Sequence, residues 1–158
     1  MKTLNVFALA FLGILSLSIL SSCGGGKTSD QKGDTTQVSK AAPGAPSAEV
    51  MALGKGIYDA KCKACHQPTG LGLKPAFPPL AASDYLLADK KRAVAQALNG
   101  SQHEITVNGA VYNALMPQQV GTVDSAVAVI NYVLNSFGNT GGTITADDVK
   151  DVVIDKRK

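Results

Sequence analysis

Tryptophan is absent from this 158-residue chain, and all aromatic residues together make up 5% of it. A core of side chains alone would be thin, so a large apolar prosthetic group would help to fill it. Neither sign of charge dominates: 15 Lys and Arg stand against 12 Asp and Glu, with the lysines scattered along the chain. A nucleic-acid-binding protein would concentrate its basic residues in a patch or along one helix face, and this sequence does not. Cysteine is scarce and odd in number, at positions 23, 62 and 65. An odd set excludes a complete disulfide framework and asks for another use of each thiol. The length suits one domain with appendages, and no internal repeat is visible.

What is present begins with an apolar run from Leu4 to Leu20, without a charged residue and behind a single Lys2. A basic start and an apolar middle have the layout of a secretory signal. At 17 residues the run is also just long enough to cross a bilayer, so an uncleaved membrane helix is the alternative. Leu20-Ser21-Ser22-Cys23 resembles the lipobox of bacterial lipoproteins. That resemblance implies removal of residues 1–22, lipidation of Cys23, and an exported, periplasmic or cell-surface bacterial protein anchored through its acyl chains. The mature charge would be 14 − 12, or +2. Residues 24–47 are rich in Gly, Ser, Thr, Lys, Ala and Pro and hold almost no large apolar side chain. Such a segment cannot offset its ordering entropy, so residues 23–47 read as a lipidated Cys and a disordered linker. Its root-mean-square reach is roughly 25–30 Å.

Cys62-Lys63-Ala64-Cys65-His66 carries the chemistry. C-x-x-C-H is the attachment pattern of c-type haem: two thiols on one helical turn each add across a vinyl group, and the following His meets the iron through Nε2. A thioredoxin-like thiol pair would need a βαβ frame, and no strand precedes Cys62. A zinc knuckle would need more ligands than His103 supplies. For the second axial position the mature chain offers Met51, on the helix leading to the motif, and Met116, in Ala114-Leu115-Met116-Pro117. A thioether on a loop stiffened by proline suits a weak ligand held by the fold, which favours Met116. His103 is the rival. His/Met ligation raises the potential and closes the iron to substrate, whereas an open position would point to a haem enzyme or gas sensor. A ligating His donates its second ring N–H to a carbonyl or carboxylate, and Pro78 in Phe77-Pro78-Pro79-Leu80 is the expected acceptor.

Around the motif, residues 48–61 read as a helix on which Gly54 and Tyr58 share a face. Val123, Ala126, Val127, Ile130, Val133, Leu134 and Phe137 follow helical period, with Thr122 as N-cap and Gly138 past the end. Tyr132 would pack across the gap at Gly54, near Tyr58. A turn at 83–86 precedes a helix capped by Asp89 and stopped by Gly100. Asn108-Gly109 between short apolar runs predicts a hairpin that delivers the chain to Met116. Thr145-Ala146-Asp147-Asp148 predicts a short terminal helix.

Together these residues resemble a class I c-type cytochrome over about 49–153. The resemblance implies an all-α domain spanning 48–158, with three to five helices around one covalent haem c and a small β-hairpin before the Met ligand. It implies attachment through Cys62 and Cys65, axial His66 and Met116, and supporting roles for Gly54, Tyr58, Pro78, Leu80 and Tyr132. FPPLAASDYL, ITVNGAVYNALMP and INYVLNSFGN are similar to cytochrome domains fused to bacterial copper nitrite reductases. That likeness implies an electron carrier rather than an enzyme, relaying electrons to or from a respiratory reductase or oxidase through redox protein partners, with no role for nucleic acid. Lys61, Lys63 and Lys74, near the motif, would steer acidic partners or form a solvated face.

Overall fold

A Ser at the right place starts the first helix. In the computed structural model, which describes residues 44–155, Ser47 is extended and its hydroxyl accepts the Val50 amide at 3.3 Å, opening α1 (Ala48–Ile57). The expectations for the leader, Cys23 and the linker up to residue 43 lie outside the described residues, as does the basic end at 156–158. The helix expected to continue to Lys61 stays regular only to Ile57. From Tyr58 to Cys62 it widens into a π turn, with the Lys63 amide reaching back five residues to the Tyr58 carbonyl. α2 (Lys63–His66) then carries the second half of the motif.

Three further caps fix the following helices. Ser83 accepts the Leu86 amide and starts α3 (Asp84–Ala88), where the sequence indicated only a turn. Asp89 accepts the Arg92 amide at 2.9 Å and starts α4 (Lys90–Asn99), which stops at Gly100 as expected. Thr122 accepts the Ser125 amide at 3.3 Å and starts α5 (Val123–Leu134), which ends before Phe137, the last residue of the apolar period. Between α4 and α5, β1 (Ile105–Val107) and β2 (Ala110–Tyr112) pair antiparallel, Ile105 opposite Tyr112. Asn108 (φ 50°) and Gly109 (φ 75°) make the left-handed turn that this dipeptide favours.

α1 crosses α5, and the crossing depends on a missing side chain. A Cβ at Gly54 would run into the Ala128 carbonyl and stand 2.7 Å from Tyr132 Cβ. Ala128 is accordingly buried, although it lies off the apolar period read from the sequence. Tyr58, Tyr132 and Phe137 meet behind the crossing with ring centroids 5.1–5.9 Å apart. Val94, Ala97 and Leu98 of α4 close the core against Val129, Val133 and Leu134 of α5.

The chain after α5 returns over this core. Asn131, buried in α5, donates to the Ile144 carbonyl at 2.8 Å and accepts the Ile144 amide at 3.0 Å. The expected terminal helix is a single 3₁₀ turn, Asp147–Val149. The Asp148 carboxylate accepts the Thr145 amide at 2.8 Å, and the β-branched run at Val152, Val153 and Ile154 does not favour continuation. Among the described residues no helix is long and apolar enough to cross a membrane.

Candidate functional site

α2, the loop after it, α4, the hairpin and α5 surround one cleft of about 230 Å³. Its walls include Cys62, Cys65, His66, Pro78, Leu80 and Met116, so the structure brings together the residues expected to attach and ligate the haem. His103 lies on the same wall, exposed. Met51 is half-buried on α1 and does not line the cleft. Gly54, Tyr58 and Tyr132 do not line it either; they form the helix crossing behind it. Tyr58 reaches the motif from that side, its hydroxyl donating to the Gln67 carbonyl at 2.6 Å.

His66 is buried, and its Nδ1 stands 3.0 Å from the Pro78 carbonyl oxygen. That oxygen can only accept, so Nδ1 carries the proton and Nε2 keeps its lone pair for a metal. Burial pushes the His66 pKa below its ordinary value, and the bond to Pro78 opposes that shift in part. The neutral ring is the ligand form. Burial, and then the neighbouring Cys65, pushes the Cys62 thiol up to about 11. A thiol-exchange pair needs the opposite, a thiolate stabilised near neutral pH. The Cys62 environment therefore lends no support to the thioredoxin-like alternative, and no strand precedes Cys62 among the described residues.

Met116 is positioned by pairing that the sequence reading missed. Its amide and carbonyl exchange hydrogen bonds with Ser101 at 2.9 and 2.8 Å, which ties the Met loop to the end of α4. Gly100 (φ 75°) allows this approach, since a Cβ there would strike the Met116 carbonyl. The only sequence signal for it was a glycine ending a helix.

Two buried donors face no hydrogen-bond partner among the described residues: Tyr112 Oη and Arg92 Nε, both on residues of the cleft wall. The Arg92 guanidinium stacks on the Tyr85 ring, 3.6 Å from its centroid, and donates to the Tyr85 carbonyl. An apolar cleft with unpaired donors fits a flat apolar ring that carries carboxylates, as a haem does. The donor set of two thiols, an oriented imidazole and a thioether fits its attachment and its iron. Of the lysines near the motif, Lys63 lies 3.4 Å from Asp59, which lessens its steering charge, while Lys61 is exposed at the cleft.

Comparison with known proteins agrees with this fit. Residues 51–137 match the family model for cytochrome c. Cytochrome c-552 of Thermus thermophilus is 34% identical over 107 residues, covering 61% of this chain and 81% of that protein. The fructose dehydrogenase cytochrome subunit of Gluconobacter japonicus is 30% identical over 106 residues, covering 63% of this chain but 21% of that subunit. The chain belongs to the cytochrome c family: it is a class I c-type cytochrome, an electron carrier with covalently bound haem.

Proposed function

We propose that this cytochrome holds one haem by thioether links to Cys62 and Cys65, ligates its iron with His66 and Met116, and works from a lipid anchor at Cys23. When bound, the haem supplies reversible one-electron exchange at its iron. The observation that carries the reading is the His66–Pro78 bond of 3.0 Å, which readies Nε2 in the cleft that Met116 also lines. His66 contributes a neutral, oriented nitrogen, and Met116 a sulfur restrained through Ser101. The apolar walls keep water from the ring. Leu115, 62% exposed on the cleft wall, and Lys61 give a mixed apolar and basic rim of the kind that suits brief, salt-sensitive redox encounters.

The leader, the lipobox-like Cys23 and the linker support an exported domain, 48–158, tethered through residues 23–47 after loss of 1–22. One relative is the cytochrome subunit of a fructose dehydrogenase, which supports a dehydrogenase as a source of electrons. The sequence likeness to domains fused to copper nitrite reductases supports a respiratory reductase or oxidase as the acceptor.

A pyridine haemochrome assay on the exported protein should give one covalent haem per chain, and the ferric spectrum should show the weak near-infrared band of sulfur ligation. Free thiols without haem would overturn the reading. Cys23→Ser should move the protein from the membrane to the soluble fraction with an unchanged visible spectrum. Retention in the membrane would favour an uncleaved membrane helix.

A further inference from the structure

The turn that follows α5 grips the loop that presents Pro78. Phe137 (φ 59°) and Gly138 (φ 79°) both take left-handed backbone, a conformation rare for an aromatic residue, and swing the chain back toward the cleft side. The Phe137 ring then lies against Gly70, where a Cβ would stand 2.6 Å from it. Asn139 follows, buried at 8% exposure. Its Nδ2 donates to the Leu80 and Val133 carbonyls, each at 2.9 Å, and its Oδ1 accepts the Ala82 amide at 2.8 Å. Both amide protons and the oxygen are engaged, so the side chain has one arrangement open to it.

These bonds fall on the loop just past Pro78. Ala82 itself holds a left-handed backbone (φ 47°), which the Asn139 oxygen helps to secure through its amide. From the other side, the Gly70 carbonyl accepts the Leu80 and Ala81 amides at 2.7 and 2.9 Å, and the His66 carbonyl accepts the Gly72 amide at 3.0 Å. Pro78 therefore sits in a loop pinned at both ends, and Asn139 supplies the pin that comes from the turn after α5. Asn139 lies two residues beyond the segment that matches the cytochrome c family model, 51–137.

We propose that Asn139 is a positioning residue for His66: by clamping Leu80 and Ala82 it fixes the Pro78 carbonyl against the ring N–H and so sets how strongly the imidazole donates to the iron. The inference rests on the reading of His66 as an axial ligand. A firm N–H···O bond gives the ring more basic character and favours the ferric state; a slack one lets the potential rise.

The test uses the holoprotein and two variants, Asn139→Ala and Asn131→Ala. Asn131 also ties α5 to the returning chain, through Ile144, but does not touch the loop. Asn139→Ala should exchange the His66 ring N–H at least tenfold faster and raise the reduction potential, while keeping a low-spin, covalently attached haem. Asn131→Ala should lose stability yet leave both readouts at their unsubstituted values. Equal shifts in the two variants, or none in Asn139→Ala, would overturn the proposal. If Asn139→Ala does not mature, exchange in the unsubstituted holoprotein decides. Through a denaturant series the Ala82 amide and the His66 ring N–H should open with the same constant, and separate openings would overturn the clamp. A spectrum without low-spin His ligation in the unsubstituted protein would instead sink the ligand reading.

Discussion

Met116→Ala is expected to keep the haem, because attachment depends on Cys62 and Cys65, and to change nearly everything about the iron. Thioether sulfur favours the ferrous state, so its loss should shift the equilibrium toward ferric by at least tenfold, about 59 mV for a one-electron couple. The near-infrared band should vanish, and the ferrous protein should bind carbon monoxide, which the unsubstituted protein should not. The backbone around position 116 should hold its place, since its bonds to Ser101 are made by main-chain atoms. A potential that does not move, in a protein that lacks the band before substitution, would count against Met116 and turn attention to His103 on the same cleft wall.

The second large effect is predicted far from the iron. Gly54→Ala should destabilise the holoprotein by about 3 kcal/mol, the upper range for overpacking, because the added methyl meets the backbone of α5 rather than a side chain that can move aside. In a thermal melt this corresponds to a loss on the order of 10 °C. Gly56→Ala, on the same helix two residues later, is the control. Gly56 is exposed with nothing within 4 Å of a built Cβ, so alanine there should be neutral or stabilise by about 0.5–1 kcal/mol. Equal gains in the two variants would mean that helix propensity, and not the crossing, decides the outcome.

These two predictions differ in how far the sequence foretold them. Cys62, Cys65, His66 and Met116 could be picked out because few residues in the chain have that chemistry. The caps at Asp89 and Thr122 and the Asn108-Gly109 hairpin were legible because each is a local interaction within a few residues. Gly54 was noticed as a glycine in a helix, and its partner was inferred from apolar period, which is a weaker inference that the crossing upheld. What stayed hidden was made of contacts between segments far apart in sequence. The Ser101–Met116 pairing joins backbone atoms and leaves no side-chain trace. Asn131 and Asn139 are polar residues buried through bonds to carbonyls and amides as much as 59 positions away, and a reading by hydrophobic period sets such residues outside the core. The terminal helix was over-read because Thr145 and Asp148 satisfy each other within a single turn.

The π turn at Tyr58–Cys62 bears on how the two ends of one helix can serve different masters. In an unbroken α-helix Cys62 would sit directly above Tyr58, four residues on, and would be turned with it toward α5. The wider loop inserts the equivalent of one residue, about 100° of rotation, between the part that grips α5 and the part that meets the haem. A chain one residue shorter in this stretch would therefore close to regular turns with the haem-side residues still aimed as they are, whereas the same sequence forced into an unbroken α-helix would swing them by about 100° toward the tyrosine cluster.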